Sequence, residues 1–125
     1  MTVFLIALGG ALGSVARYLS VAAVGRILGP AQLVYGTMIV NVVGSFLMGL
    51  AFVALLDRLG DGRAAPLLMT GVLGGFTTFS AFSLDAFRLF DAGRSAEAAL
   101  YVVGSVVLSL AAVCAGILLA RSVLS

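Results

Sequence analysis

The sequence predicts an all-α membrane protein of four transmembrane helices, the third broken at its centre. Three observations lead there. Hydrophobic residues fill 62% of the 125 positions and charged residues only 10%, far outside the balance of a soluble domain. The apolar content runs along the full length in four segments, so one short leader-like run before a soluble domain cannot account for it. The third segment carries Gly74, Gly75, Thr77 and Thr78 at its middle, where a helix is hardest to sustain. The chain therefore reads as a single four-helix domain over residues 1–125, set in a lipid bilayer. The net charge of +2 comes from single, scattered arginines and acids, which leaves no basic patch for nucleic acid. Cys114 has no second cysteine to pair with, and histidine is absent.

The first helix is expected over residues 3–27, long enough to cross a bilayer with some tilt. Gly9, Gly13 and Ser14 are small residues that let another helix approach closely. Arg17 stands roughly 21 Å along this helix at 1.5 Å per residue. It belongs near the far interface or in a water-filled vestibule, and snorkelling to the headgroups is the plainer alternative. Gly29 and Pro30 close the helix.

The second helix is expected over residues 32–56, without a charge. Thr37, Asn41 and Ser45 recur every four residues and so share one stripe. A carboxamide in hydrocarbon is costly unless bonded, so Asn41 either joins helices or lines a wet path. Gly44 and Gly49 thin this helix for packing. Asp57, Arg58, Asp61, Gly62 and Arg63 form a polar loop whose charges are expected to be solvated.

The third helix is expected over residues 65–90. In lipid every main-chain N–H and C=O needs a partner, so an interruption survives only where protein or water surrounds it. Freed carbonyls can hold a small cation, and a new helix start offers N–H groups to an anion. An ion site is one reading; a glycine-lined helix contact, with hydroxyls bonded to the preceding turn, is the other. Phe79 and Phe82 share a face beside Ser80 and Ser83, and their ring edges could meet a small anion or simply pack. Asp85 and Arg88 stand one turn apart, where an i, i+3 ion pair is the default. Asp91, Gly93 and Arg94 make the third loop.

The fourth helix is expected over residues 96–120 and carries a second polar stripe, Tyr101, Ser105 and Ser109. These hydroxyls span about 12 Å of depth, enough to replace a solute's water stepwise. With four spans, both termini lie on one side. Arg58, Arg63 and Arg121 then fall on one side and Arg26, Arg88 and Arg94 on the other. Orientation normally follows an excess of Arg and Lys, so the tie predicts dual topology and an antiparallel homodimer with its two-fold axis in the membrane plane.

The run Gly74-Gly75-Phe76-Thr77-Thr78-Phe79-Ser80-Ala81-Phe82-Ser83 strongly resembles the fluoride channel family called Fluc or CrcB. So do Asn41-Val42-Val43-Gly44-Ser45-Phe46 and the stretch from Gly9 to Tyr18. The resemblance implies a dual-topology homodimer with two fluoride pores and a structural sodium ion at its centre. It implies that Gly74 and Thr77 hold the sodium through main-chain carbonyls. The fluoride pathway it implies comprises Thr37, Asn41, Phe79, Phe82, Ser83, Tyr101, Ser105 and Ser109, with Arg17 at the vestibule. Ala81 and Asp85 depart from it, standing where the family usually has threonine and glutamate. The implied function is passive efflux of fluoride across the cell inner membrane.

The runner-up is a small proton-coupled multidrug exporter. That chemistry needs a membrane-buried carboxylate, usually in the first helix, and residues 3–27 contain no acid and the chain no tryptophan. An enzyme is disfavoured, because there is no histidine and Cys114 has no basic neighbour in sequence.

Overall fold

The computed structural model describes residues 1–60 and 62–125; Asp61, placed by sequence in the second loop, lies outside the described residues. Among the described residues, four helices are long and apolar enough to cross a membrane: α1 (Thr2–Leu28), α2 (Pro30–Leu59), α3 (Pro66–Asp91) and α4 (Ser95–Leu124). They exceed the expected segments by a few residues, chiefly at the C-terminal ends of α2 and α4, where polar flanks join the last turns.

Local chemistry accounts for the boundaries. Gly29 stops α1 at φ 101°, a conformation that side-chain-bearing residues avoid, and its N–H bonds the Gly25 carbonyl. Pro30 then opens α2 with a tight turn over Pro30–Gln32, its missing N–H being one no helix start could pair anyway. Pro66 plays the same part at the start of the wide-turned opening of α3. The end of α2 (Phe52–Leu59) and the opening of α3 (Pro66–Leu73) wind in wide π-type turns, which hydropathy does not reveal. In α3 the residues Gly74–Phe76 are helical. Thr77 (φ −84°, ψ 155°) and Thr78 (φ −151°, ψ 126°) are extended, and helix resumes over Phe79–Asp91.

Two glycine seams hold the bundle together. Along the first, α1 lies against the opening half of α3. A Cβ on Gly9 or Gly13 would collide with the Leu67 or Val72 carbonyl, and one on Gly75 would meet the Gly10 carbonyl at 2.6 Å. Along the second, α2 lies against α4, where Gly49 faces the Val113 carbonyl and Gly116 the Phe46 carbonyl. Lipid tails are as apolar as leucine, so this close van der Waals contact, rather than expulsion of water, drives association. Most other large apolar side chains point outward, as a lipid-facing surface requires.

Between the seams sits a small core of Phe82, Leu89, Ala98 and Tyr101, backed by Val34, Met38 and Ala86. It places the second half of α3 against α2 and α4. At one end Arg94 grips Glu97 in a two-point pair (2.7 Å each), and the Tyr35 hydroxyl donates to the same carboxylate at 2.8 Å, tying the start of α2 to α4. At the other end Asp57 pairs with Arg121 at 3.8 Å, so this loop charge is not merely solvated. Both groups remain well exposed, and such a pair contributes at most about 1 kcal/mol.

Candidate ion path

Thr77 keeps its helical N–H bond to the Leu73 carbonyl at 3.0 Å, but the Thr77 carbonyl and both main-chain groups of Thr78 take their partners from α1 and α2. Asn41 of α2 makes a reciprocal pair with Thr78: its Oδ1 accepts the Thr78 N–H at 2.7 Å and its Nδ2 donates to the Thr78 carbonyl at 2.9 Å. The pairing fixes which way the carboxamide points, since only its oxygen can accept and only its nitrogen can donate. Arg17 of α1 donates from Nη1 to the Thr77 carbonyl at 3.4 Å. Thr78 caps the second half of α3, its Oγ1 accepting from the Ala81 N–H at 3.2 Å. The Thr77 hydroxyl donates back to the Leu73 carbonyl at 3.0 Å. In a continuous helix the Thr78 N–H would bond the Gly74 carbonyl; here Asn41 takes it, and no N–H among the described residues reaches that carbonyl.

A groove of about 510 Å³ opens beside this pair of residues. Asn41, Ser45, Phe79, Phe82, Ser105 and Ser109 form its polar and aromatic wall, and Gly74, Thr77 and Thr78 also border it. Phe79 is 77% exposed and Phe82 only 7%, with ring centroids 5.5 Å apart and planes at 55°. Tyr101 stands behind Phe82, its ring centroid 5.4 Å away. Ser105 is 4% exposed, and its hydroxyl has no hydrogen-bond partner among the described residues. A buried hydroxyl left without a partner costs on the order of 1–3 kcal/mol.

A second cavity of about 360 Å³ lies on the other side of Thr78, bordered by Arg17, Thr37, Asp85 and Arg88. Thr78 lines both spaces. Asp85 does not pair with its neighbour Arg88. Its Oδ2 accepts from the Thr37 hydroxyl at 2.8 Å and from the Tyr101 hydroxyl at 3.4 Å, both buried side chains on other helices. The local pairing fails because the carboxylate finds two interior donors, while Arg88 stays exposed.

Both stripes foreseen on α2 and α4 thus converge on the second half of α3. Thr37 and Tyr101 meet Asp85; Asn41 meets Thr78; Ser105 and Ser109 border the groove with Phe79 and Phe82. Arg17 borders the second cavity, and Gly74 and Thr77 the first. Ser83 stands apart from both, exposed, with its hydroxyl donated to the Phe79 carbonyl at 2.9 Å. Asp85 itself was not among the candidates, although its position three residues after Phe82 puts it on the same helical face.

The family model described as CrcB-like protein, Camphor Resistance (CrcB), matches residues 4–117. A protein of Cereibacter sphaeroides named fluoride-specific ion channel FluC is 59% identical over 116 residues, 93% of this chain and 91% of that one. One of the same name from Ruegeria sp. (strain TM1040) is 51% identical over 125 residues, 100% of this chain and 98% of the relative. Another from Paracoccus denitrificans is 53% identical over 116 residues, 93% of this chain and 91% of the relative.

Proposed function

This chain belongs to the CrcB family, and from that premise we propose that it is a fluoride-selective channel, a transporter and not an enzyme, through which fluoride leaves the cell passively. The observation that carries the reading is the unpartnered Ser105 hydroxyl, buried in a groove walled by Asn41, Phe79 and Phe82 and free of fixed charge along that wall.

Fluoride is small and strongly hydrated, so a selective path must replace its water at several points while staying too narrow for larger anions. A full cation at the narrowest part would trap the ion. Hydroxyls, one remaining Asn41 N–H and ring edges offer partial positive charge without that penalty. Arg17 and Arg88 border the neighbouring cavity against the single carboxylate of Asp85, and the net positive field there would concentrate anions before they lose water. Hydrogen fluoride enters as a neutral acid and ionises in the less acidic cytoplasm; the anion then runs down its own gradient, and no energy source is required.

The proposed assembly is an antiparallel, dual-topology homodimer in the cell inner membrane, supported by the tie of three arginines on each side. Gly74 and Thr77 would hold the structural sodium at its centre through main-chain carbonyls. Their chemistry fits: the Gly74 carbonyl has no N–H donor among the described residues, and Thr77 keeps one carbonyl lone pair beside its long contact to Arg17. When bound, the ion would supply a fixed positive charge that offsets the unpaired carbonyls of the interruption.

Fluoride efflux from liposomes, followed with a fluoride electrode and repeated with chloride, tests the reading. Fast fluoride release with chloride retained is the expected result; chloride released alongside fluoride, or no fluoride release from folded protein, overturns it. Ser105→Ala adds a separate check. Removing an unsatisfied buried hydroxyl leaves the melting temperature unchanged or higher, while fluoride flux falls; a hydroxyl with only a structural role gives the reverse pattern.

A further inference from the structure

The main-chain bond that α3 lacks is the one Asn41 intercepts. Position 78 should return its N–H to the Gly74 carbonyl, four residues earlier, and the helix would continue. The Asn41 carboxamide stands in the way with both of its functions, at 2.7 and 2.9 Å. Gly44, three residues further along α2, shows how close the helices come. A Cβ there would collide with the Thr77 side chain and reach the Phe76 ring at 3.2 Å. Asn41 and Gly44 lie on one face of α2, so that face is shaped to seat against the extended residues.

We propose that Asn41 is a positioning residue for the cation site: by capturing the Thr78 peptide it withholds that N–H from the Gly74 carbonyl and keeps the carbonyl open to a monovalent cation. This rests on the sodium reading above and deepens it. The same residue that borders the anion groove then governs the cation site through two main-chain hydrogen bonds, without touching the cation. Substitutions of groups that orient metal ligands in this way typically weaken metal affinity by roughly 10- to 100-fold.

The test is the sodium dependence of thermal unfolding for the purified full-length chain in detergent, titrating sodium chloride against N-methylglucamine chloride. Wild type, Asn41→Leu and Asn41→Asp are compared, with hydrogen exchange at the Thr78 amide read by NMR. Sodium raises the wild-type melting temperature. Asn41→Asp, measured at a pH where its carboxyl is protonated, keeps this response, because the acid still accepts the Thr78 N–H and donates its O–H to the Thr78 carbonyl. Asn41→Leu shows an apparent sodium affinity roughly 10- to 100-fold weaker, with altered Thr78 exchange. If Asn41→Leu does not yield folded protein, Asn41→Ser, too short to span to Thr78, carries the same expectation.

Wild-type sodium affinity in Asn41→Leu or Asn41→Ser, with fluoride flux lost, makes Asn41 an anion ligand only; that overturns the inference and leaves the channel reading standing. Loss of the response in Asn41→Asp as well as Asn41→Leu also overturns it, since capture of the N–H would then not be what matters. A wild type indifferent to sodium overturns both the inference and the sodium reading, while fluoride efflux from liposomes remains a separate result.

Discussion

Phe82→Ile lowers fluoride efflux from liposomes by roughly 10- to 100-fold, the kinetic equivalent of losing one contact of about 1.5–3 kcal/mol to a charged species. The ring is 7% exposed and held between Phe79 and Tyr101, at centroid distances of 5.5 and 5.4 Å. Its orientation is therefore fixed by packing, and the ring borders the groove that Asn41 and Ser105 also line. Isoleucine retains an apolar, β-branched bulk that a helix tolerates, but it has no ring edge to meet an anion. The protein should still purify as a folded species, so loss of flux separates the ring's electrostatics from its packing. Flux equal to wild type in Phe82→Ile would assign Phe82 to the core alone.

Gly13→Leu removes the folded protein altogether. Gly13 is buried in the seam between α1 and α3, where a Cβ would collide with the Val72 carbonyl and come within 2.9 Å of the Phe76 nitrogen. Both obstacles are main chain, so no side chain can swing aside, and overpacking of this kind costs 1–3 kcal/mol or more in proteins at large. The consequence is wider than local stability. The seam sets where the Thr77 carbonyl stands relative to Arg17, on the same helix as Gly13. Gel filtration and thermal unfolding in detergent check the prediction, with aggregated or absent protein as the expected result. Gly10→Ala is the control, because a Cβ there meets nothing within 4 Å, and it should melt like wild type.

The helices were legible in the sequence because lipid leaves few options. Long apolar runs must be helical to pair their main chain, and the punctuation at Gly29, Pro30, Pro66 and Gly93 falls where the helices start or stop. The polar stripes were legible for a related reason: hydroxyls and an amide repeated every fourth residue in hydrocarbon demand partners. What they bond was not. Asn41 finds Thr78 across 37 positions and Thr37 finds Asp85 across 48, distances at which a single sequence holds no pairing signal. Local reasoning also favoured Asp85 with Arg88, since adjacent turns are all that sequence makes visible, and the interior hydroxyls of Thr37 and Tyr101 took the carboxylate instead. The wide turns over Phe52–Leu59 and Pro66–Leu73 left no trace either, because hydropathy there does not distinguish one helical winding from another.

The most direct measurement is the reversal potential of the current through the reconstituted protein in a planar bilayer, with a tenfold fluoride gradient and equal chloride and pH on both sides. A passive fluoride-selective channel reverses near the fluoride equilibrium potential, about 59 mV for a tenfold ratio of a singly charged ion. A reversal potential near zero, set by chloride, or one that follows an imposed pH gradient as a proton-coupled exporter would, contradicts it.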